Sequence, residues 1–151
     1  MRIYNSLTDK LEEFKPIKEG QVSMYVCGPT VYNYVHIGNM RPTITFDMVR
    51  NYFEYLGYKV TYASNFTDIN PKIIKAAEEL GITEREVANK FIAAYLKDLE
   101  AYQCGKIDIH PTVLENLDNI YAFIEKLIEK GYAYEVDGDV YFHVNKIKDY
   151  G

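Results

Sequence analysis

Two short segments near the N-terminus carry the residues best suited to chemistry. The run YVCGPTVY over residues 25–32 ends an apolar stretch with the thiol of Cys27, and HIGN over residues 36–39 follows it. An apolar run that breaks into Gly-Pro predicts a buried strand whose last residues reach the edge of a sheet, where open α/β sheets bind ligands. We therefore expect Cys27 to lie at a binding site.

The loop after this strand predicts a phosphate site. A glycine-bearing loop that enters a helix presents unpaired backbone N–H groups and the positive end of the helix dipole to an anion. We predict that the helix begins between Asn39 and Pro42, with His36 and Asn39 as further donors and Arg41 as a fixed charge. The sequence has no Walker motif and no G-x-G-x-x-G, so kinase-type and dinucleotide-binding functions lose their main support.

The sequence on both sides of this loop predicts a strand–helix–strand unit that would position it. Residues 22–27 predict the first strand, and apolar residues at helical spacing follow Pro42 until Gly57 ends the helix. Residues 58–66 alternate and are rich in β-formers, which predicts a second strand. This order favours a parallel pair joined by a right-handed crossover.

Two further helices are predicted after the second strand. Pro71 opens a helix that ends at Gly81, and Thr83 with Glu86 fits the capping box of the next helix.

The last third of the chain predicts a short strand, a helix and a hairpin. The short strand covers residues 107–109, and a long amphipathic helix covers residues 114–130. Asp137 and Gly138 stand between two β-rich runs, a pattern typical of a tight hairpin turn.

Composition limits the class of protein. The chain has 151 residues, 48% hydrophobic and 26% charged, which excludes disorder, and no apolar run approaches the ~20 residues of a membrane span. The net charge of −5 predicts no strong general attraction to nucleic-acid phosphates. The N-terminus lacks the pattern of a signal peptide, so we expect a cytoplasmic protein whose cysteines, Cys27 and Cys104, are reduced thiols.

Several motifs in order resemble the N-terminal part of cysteinyl-tRNA synthetase, over nearly the whole chain. They are residues 24–32, residues 36–42, Phe46 with Asp47, residues 64–69 and residues 72–75.

The resemblance implies an α/β fold of the class I synthetase type, with a Rossmann-like nucleotide-binding domain. Residues 1–112 would form the first half of that domain, and residues 113–151 would be a helix and β-hairpin that begin an inserted connective segment. The implied reaction is activation of cysteine by ATP, with Mg²⁺, and transfer of the cysteine to tRNA(Cys).

The resemblance also implies the residues that bind ATP. His36, Gly38 and Asn39 match a HIGH-type motif, in which Asn39 stands where the last histidine of the family often lies. His36 and Asn39 would be catalytic, because they can hold phosphate oxygens while pyrophosphate leaves.

A cysteine pocket with one zinc ligand is implied as well. Cys27 matches a zinc-binding cysteine of the family, and zinc prefers a thiolate to an alcohol, which would separate cysteine from serine. Gly28, Thr30 and Thr67 would line the same pocket as Cys27.

The sequence also departs from the family. The remaining zinc ligands and the KMSKS loop of the family are expected beyond residue 151, so we expect a fragment with an incomplete zinc site and little activity alone. Asn70 and Pro71 replace a usual pair of aspartates. The alternatives are a catalytically silent paralogue that binds a nucleotide or a partner, a ligase that joins cysteine to a small amine, and a local zinc site from Cys27, Cys104 and His110.

Overall fold

The chain divides into two compact units, Met1–Pro111 and Thr112–Gly151. The computed structural model describes residues 1–105 and 107–150, so Gly151, the last residue of the second expected segment, lies outside the described residues. The expected boundary after residue 112 stays a prediction. In the described part of the chain, no helix combines the length and the apolar character needed to cross a lipid bilayer.

The first unit contains a hairpin, a parallel strand pair and three helices. In chain order these are β1 (Arg2–Asn5), β2 (Lys10–Glu13), β3 (Gln21–Tyr25), α1 (Ile37–Tyr55), β4 (Lys59–Ala63), α2 (Pro71–Leu80) and α3 (Glu84–Ala101). Strands β1 and β2 are antiparallel, whereas β3 and β4 are parallel, in a register that runs from Gln21 opposite Lys59 to Tyr25 opposite Ala63. The parallel pair predicted from the strand–helix–strand order is confirmed.

The short strand predicted at residues 107–109 is wrong. Ile109 forms an isolated parallel bridge to Ala63, and the N–H groups of Asp108 and Ile109 both donate to the carbonyl of Tyr62, at 2.9 and 3.2 Å. The Asp108 carboxylate accepts the main-chain N–H of Tyr62 at 2.8 Å. A side chain therefore takes a ladder position of β4 that a neighbouring strand would otherwise fill.

Helix α1 begins earlier than predicted, at Ile37, and Pro42 lies inside it. His36 starts the helix as its N-cap residue, and Asn39 completes a capping box with it. Because Pro42 has no N–H, the carbonyl of Gly38 receives no helical hydrogen bond. The cap, which satisfies N–H groups of the first turn, decides the start of this helix instead of the proline.

The core of the first unit anchors the loop between β3 and α1 at its middle, and it also anchors the first turn of α1. The largest fully buried side chains are Tyr62, Met40, Ile73, Val31 and Val87. Val31 belongs to this loop, and Met40 belongs to the first turn of α1. Burial raises the pKa of Tyr62 to about 12, so its hydroxyl stays neutral in this core.

The predicted starts of α2 and α3 are confirmed. Asn70 is the N-cap of α2 and Pro71 is its first residue, where a helix needs no N–H donor. Thr83 and Glu86 form the capping box of α3. Asn70 and Pro71, which depart from the family pattern, are therefore residues typical of a helix N-terminus.

The second unit contains a helix and a hairpin. In chain order it has a 3₁₀ turn (Leu114–Asn116), α4 (Leu117–Glu129), β5 (Ala133–Val136), β6 (Asp139–Phe142) and a second 3₁₀ turn (Val144–Lys146). Strands β5 and β6 are antiparallel, and Asp137 and Gly138 between them have positive φ. The prediction of one continuous helix from residue 114 is wrong in its first turn, because Asn116 leaves helical geometry at φ −112° and ψ 9°.

Candidate functional site

His36 and Asn39 are hydrogen-bonded to each other at the start of α1, and both side chains keep donors that no other described residue accepts. Nδ1 of His36 accepts the N–H of Gly38 at 3.0 Å, so the neutral ring carries its proton on Nε2. Oδ1 of Asn39 accepts the N–H of His36 at 3.1 Å. The Nε2–H of His36 and the Nδ2 amide of Asn39 remain as donors for a ligand.

Gly38 makes room for the histidine ring. A Cβ atom at Gly38 would lie 2.8 Å from Cε1 and 3.0 Å from Nδ1 of His36. The N–H of Gly38 bonds this ring, and the N–H of Asn39 donates to the carbonyl of His36 at 2.8 Å. The expectation of unpaired N–H groups is therefore wrong for these two residues, and an anion here would rely on side-chain donors and the helix dipole.

A pocket of about 260 Å³ lies against the start of α1. Lys72, from the first turn of α2, lines it and places its Nζ 5.0 Å from the centre of the Tyr32 ring. Arg41, the expected fixed charge, does not line this pocket; Lys72 supplies a cation in its place. The lining residues are Pro29, Thr30, Tyr32, Asn33, Tyr34, Val35, His36, Asn39 and Lys72.

A second pocket, of about 490 Å³, shares a wall with the first, because Tyr32, Tyr34 and Lys72 line both. It adds the ammonium groups of Lys75 and Lys90. Glu79 also lines it and pairs with Lys75 at 3.8 Å, so the three lysines leave a net positive local charge, in contrast to the acidic charge of the whole chain. The sequence signal for it is the spacing of Lys72 and Lys75, which places both on one face of a helix.

The threonines of the expected cysteine pocket lie side by side. Thr30 and Thr67 form a parallel bridge. The N–H of Thr67 donates to the carbonyl of Pro29 at 3.1 Å, and the N–H of Val31 donates to the carbonyl of Thr67 at 3.2 Å. The segments that follow β3 and β4 are thus joined by their own main-chain hydrogen bonds.

Cys27 is exposed, and its Sγ lies 3.8 Å from the carbonyl oxygen of Gly28. Within residues 1–105 and 107–150, no three His, Cys, Asp or Glu side chains are placed to hold a metal ion. The local zinc site from Cys27, Cys104 and His110 is therefore not formed; Nδ1 of His110 instead lies 3.0 Å from the carbonyl oxygen of Ser64. Among the described residues, Cys27 could therefore serve as one zinc ligand, but a complete set of ligands is not present.

The two thiols should react at different rates. Cys104 is half-buried, and burial together with the nearby Asp47 raises its pKa, which lowers its thiolate fraction at a given pH. We expect iodoacetamide at mildly alkaline pH to alkylate Cys27 about ten times faster than Cys104, since the thiolate is the nucleophile. Peptide mass spectrometry over time measures both rates. Cys104→Ser should remove only the slow phase, and equal rates in the unmodified chain would contradict the expectation.

The fold is an α/β domain with a pocket where parallel strands end and a capped helix begins, the place where open α/β sheets commonly bind ligands. Residues 13–151 match the family model described as tRNA synthetases class I (C) catalytic domain. The chain belongs to this family of class I tRNA synthetase catalytic domains.

Similar proteins agree with this family. The chain is 59% identical over 151 residues to the cysteine–tRNA ligase of Bacillus pumilus, 56% to that of Anoxybacillus flavithermus and 57% to that of Listeria welshimeri. Each comparison covers 100% of this chain and 32% of the relative. The chain therefore spans about a third of the length of these curated relatives. The resemblance drawn from the ordered motifs is confirmed.

Proposed function

We propose that this chain is part of the catalytic domain of a cysteine–tRNA ligase, which activates cysteine with ATP and transfers it to tRNA(Cys). The observation that carries the proposal is the capped His36–Asn39 helix start beside a donor-lined pocket. That site lies in a chain whose whole length matches proteins named cysteine–tRNA ligase. ATP, cysteine and tRNA(Cys) are its proposed partners and the cytoplasm its proposed location.

The proposed fold is the first half of a Rossmann-like domain over residues 1–112, followed by the start of a connective segment over residues 113–151. Helix α1 connects the parallel strands β3 and β4, and among the described strands β3 pairs with β4 alone. The apolar side chains of Met24, Phe46 and Tyr52 line a groove of about 740 Å³ beside β3. Both features suit a sheet that continues past β3.

In the proposed activation step, the carboxylate of cysteine attacks the α-phosphorus of ATP, a new P–O bond forms, and the bond to pyrophosphate breaks. The Nε2–H of His36 and the Nδ2 amide of Asn39 donate to phosphate oxygens as their charge develops. The Lys72 ammonium, which lines the same pocket, adds a positive charge. Donors and charges that are already oriented lower the barrier because little has to reorganise during the step.

The amino-acid site is proposed at the ends of β3 and β4. Cys27, Gly28, Thr30 and Thr67 line it, and the hydrogen bonds of Thr67 keep the two segments together. Cys27 would be one zinc ligand, with the others supplied from outside the described residues. When bound, Zn²⁺ supplies a preference for sulfur over oxygen.

A chimeric enzyme tests the proposed function. Residues 1–151 replace the matching third of the Bacillus pumilus relative, and cysteine-dependent ATP–pyrophosphate exchange and charging of tRNA(Cys) are measured. We expect both activities, and no exchange with serine. A folded chimera without exchange contradicts the proposal, and exchange without charging of tRNA(Cys) would show that residues 1–151 support the activation of cysteine but not its transfer.

A further inference from the structure

Asn65 links both sides of the proposed cysteine pocket through three hydrogen bonds. Its Oδ1 accepts the N–H of Gly28 at 3.0 Å and the hydroxyl of Tyr25 at 2.8 Å. Its Nδ2 donates to Oγ1 of Thr67 at 3.3 Å. One half-buried amide thus connects the segment after β3 with the segment after β4.

The amide replaces a missing hydrogen bond between these segments. The ladder of β3 and β4 continues to the N–H of Val26, which donates to the carbonyl of Ala63 at 3.0 Å, and main-chain bonding resumes at Thr67. Between these two points the N–H of Gly28 bonds the side chain of Asn65 instead of a main-chain oxygen. Gly28 is partly buried, and an N–H there without a partner would cost free energy, so the amide stabilises this arrangement of the loop.

The two segments also touch closely at this point. A Cβ atom at Gly28 would lie 1.7 Å from the main-chain oxygen of Asn65. Because Cys27 directly precedes Gly28, the contact between Gly28 and Asn65 fixes the backbone from which the Cys27 thiol projects. The hydrogen bond to Thr67 fixes the orientation of a hydroxyl group on the other side.

We propose that Asn65 is a positioning residue that holds Cys27–Gly28 and Thr67 at a fixed separation and thereby sets the affinity for cysteine. This inference rests on the proposed function. Asn65 acts through Gly28 and Thr67, since functional groups must be held to within about 0.5 Å by neighbours that are themselves fixed. Loss of the amide should weaken cysteine binding and leave ATP binding, at the start of α1, nearly unchanged.

Hydrogen exchange on the 151-residue chain tests the link without any enzyme assay. In Asn65→Ala, we expect the Gly28 amide to exchange about tenfold faster or more, because its local protection is lost. Asn51→Ala is the matched control, since it removes an amide on α1 that donates to Asp47, and it should leave Gly28 unchanged. Unchanged exchange at Gly28 in folded Asn65→Ala overturns the link.

Asn65→Asp is a milder variant that covers the case in which Asn65→Ala fails to fold. The carboxylate keeps an acceptor for Gly28 and Tyr25, and its second oxygen can accept the hydroxyl of Thr67 in place of donating to it. We therefore expect the Gly28 amide to stay protected from hydrogen exchange in this variant. Fast exchange at Gly28 in folded Asn65→Asp also overturns the proposal.

Kinetics of the chimera then test the role in cysteine binding. In Asn65→Ala, we expect KM for cysteine to rise about 10- to 100-fold, the usual loss when a supporting hydrogen bond of a site is removed. KM for ATP should change much less, and Asn51→Ala should change neither. Equal rises in both KM values would show a merely structural role and overturn the proposal. If the parent chimera shows no cysteine-dependent ATP–pyrophosphate exchange, the proposed function is refuted instead. Amide hydrogen exchange of the 151-residue chain still tests the link through Asn65.

Discussion

Gly28→Ala is expected to lower the free energy of unfolding by about 3 kcal/mol or more, the upper range for overpacking. The added Cβ would lie 1.7 Å from the main-chain oxygen of Asn65, 2.9 Å from its carbonyl carbon and 3.0 Å from Oγ of Ser64. Two of these atoms are backbone, so no side chain can rotate to relieve the contact. The segments after β3 and β4 must separate, which also breaks the hydrogen bond from Gly28 to Asn65.

Gly81→Ala is the matched control for Gly28→Ala. Gly81 has φ +66° and nothing within 4 Å of an added Cβ, so its substitution costs only the backbone strain of a left-handed residue, about 1 kcal/mol. Urea unfolding followed by circular dichroism measures both variants. If the two substitutions lower the free energy of unfolding equally, the segments separate freely. The close packing of Gly28 on Asn65 would then contribute nothing to stability.

Substituting His36 is expected to reduce kcat/KM of the chimera about 100-fold or more in pyrophosphate exchange, the usual effect of losing a donor to developing charge. His36→Ala removes both the imidazole and the N-cap of α1. His36→Asn removes the imidazole and keeps a good N-cap residue. We expect both variants to lose activity, and only His36→Ala to lose stability, by about 1 kcal/mol.

The comparison of the two His36 variants separates capping from catalysis. Thermal unfolding of the 151-residue chain gives the stability difference, and exchange kinetics of the chimera give the activity. If His36→Asn retains full activity, the imidazole has no role beyond the helix cap. The proposed contact of Nε2 with a phosphate oxygen would then be wrong.

The sequence alone determined the elements that depend on neighbours along the chain. The starts of α2 and α3 follow from Asn70, Pro71 and the Thr83 capping box, and the parallel pair follows from the order of strand, helix and strand. The ordered motifs were enough to identify the family. Helix caps and turn residues act within a few positions, so a single sequence contains the information that they need.

Local pattern gave a wrong start for α1, because two signals compete there. Pro42 is a typical first-turn residue, yet His36 and Asn39 cap the helix before it. The same cap takes the N–H of Gly38, which the loop pattern predicts to be free for a ligand. Which signal prevails depends on the side-chain geometry of the folded loop.

Tertiary structure alone decided which residues meet at the site. Lys72 faces the pocket beside His36, and Arg41 does not line it, because the packing of α2 sets the position of the lysine. Asn65 and Gly28 are far apart along the chain, and the register of β3 against β4 brings them into contact. That register is fixed by the packing of a crossover helix on two strands, and no short stretch of sequence contains it.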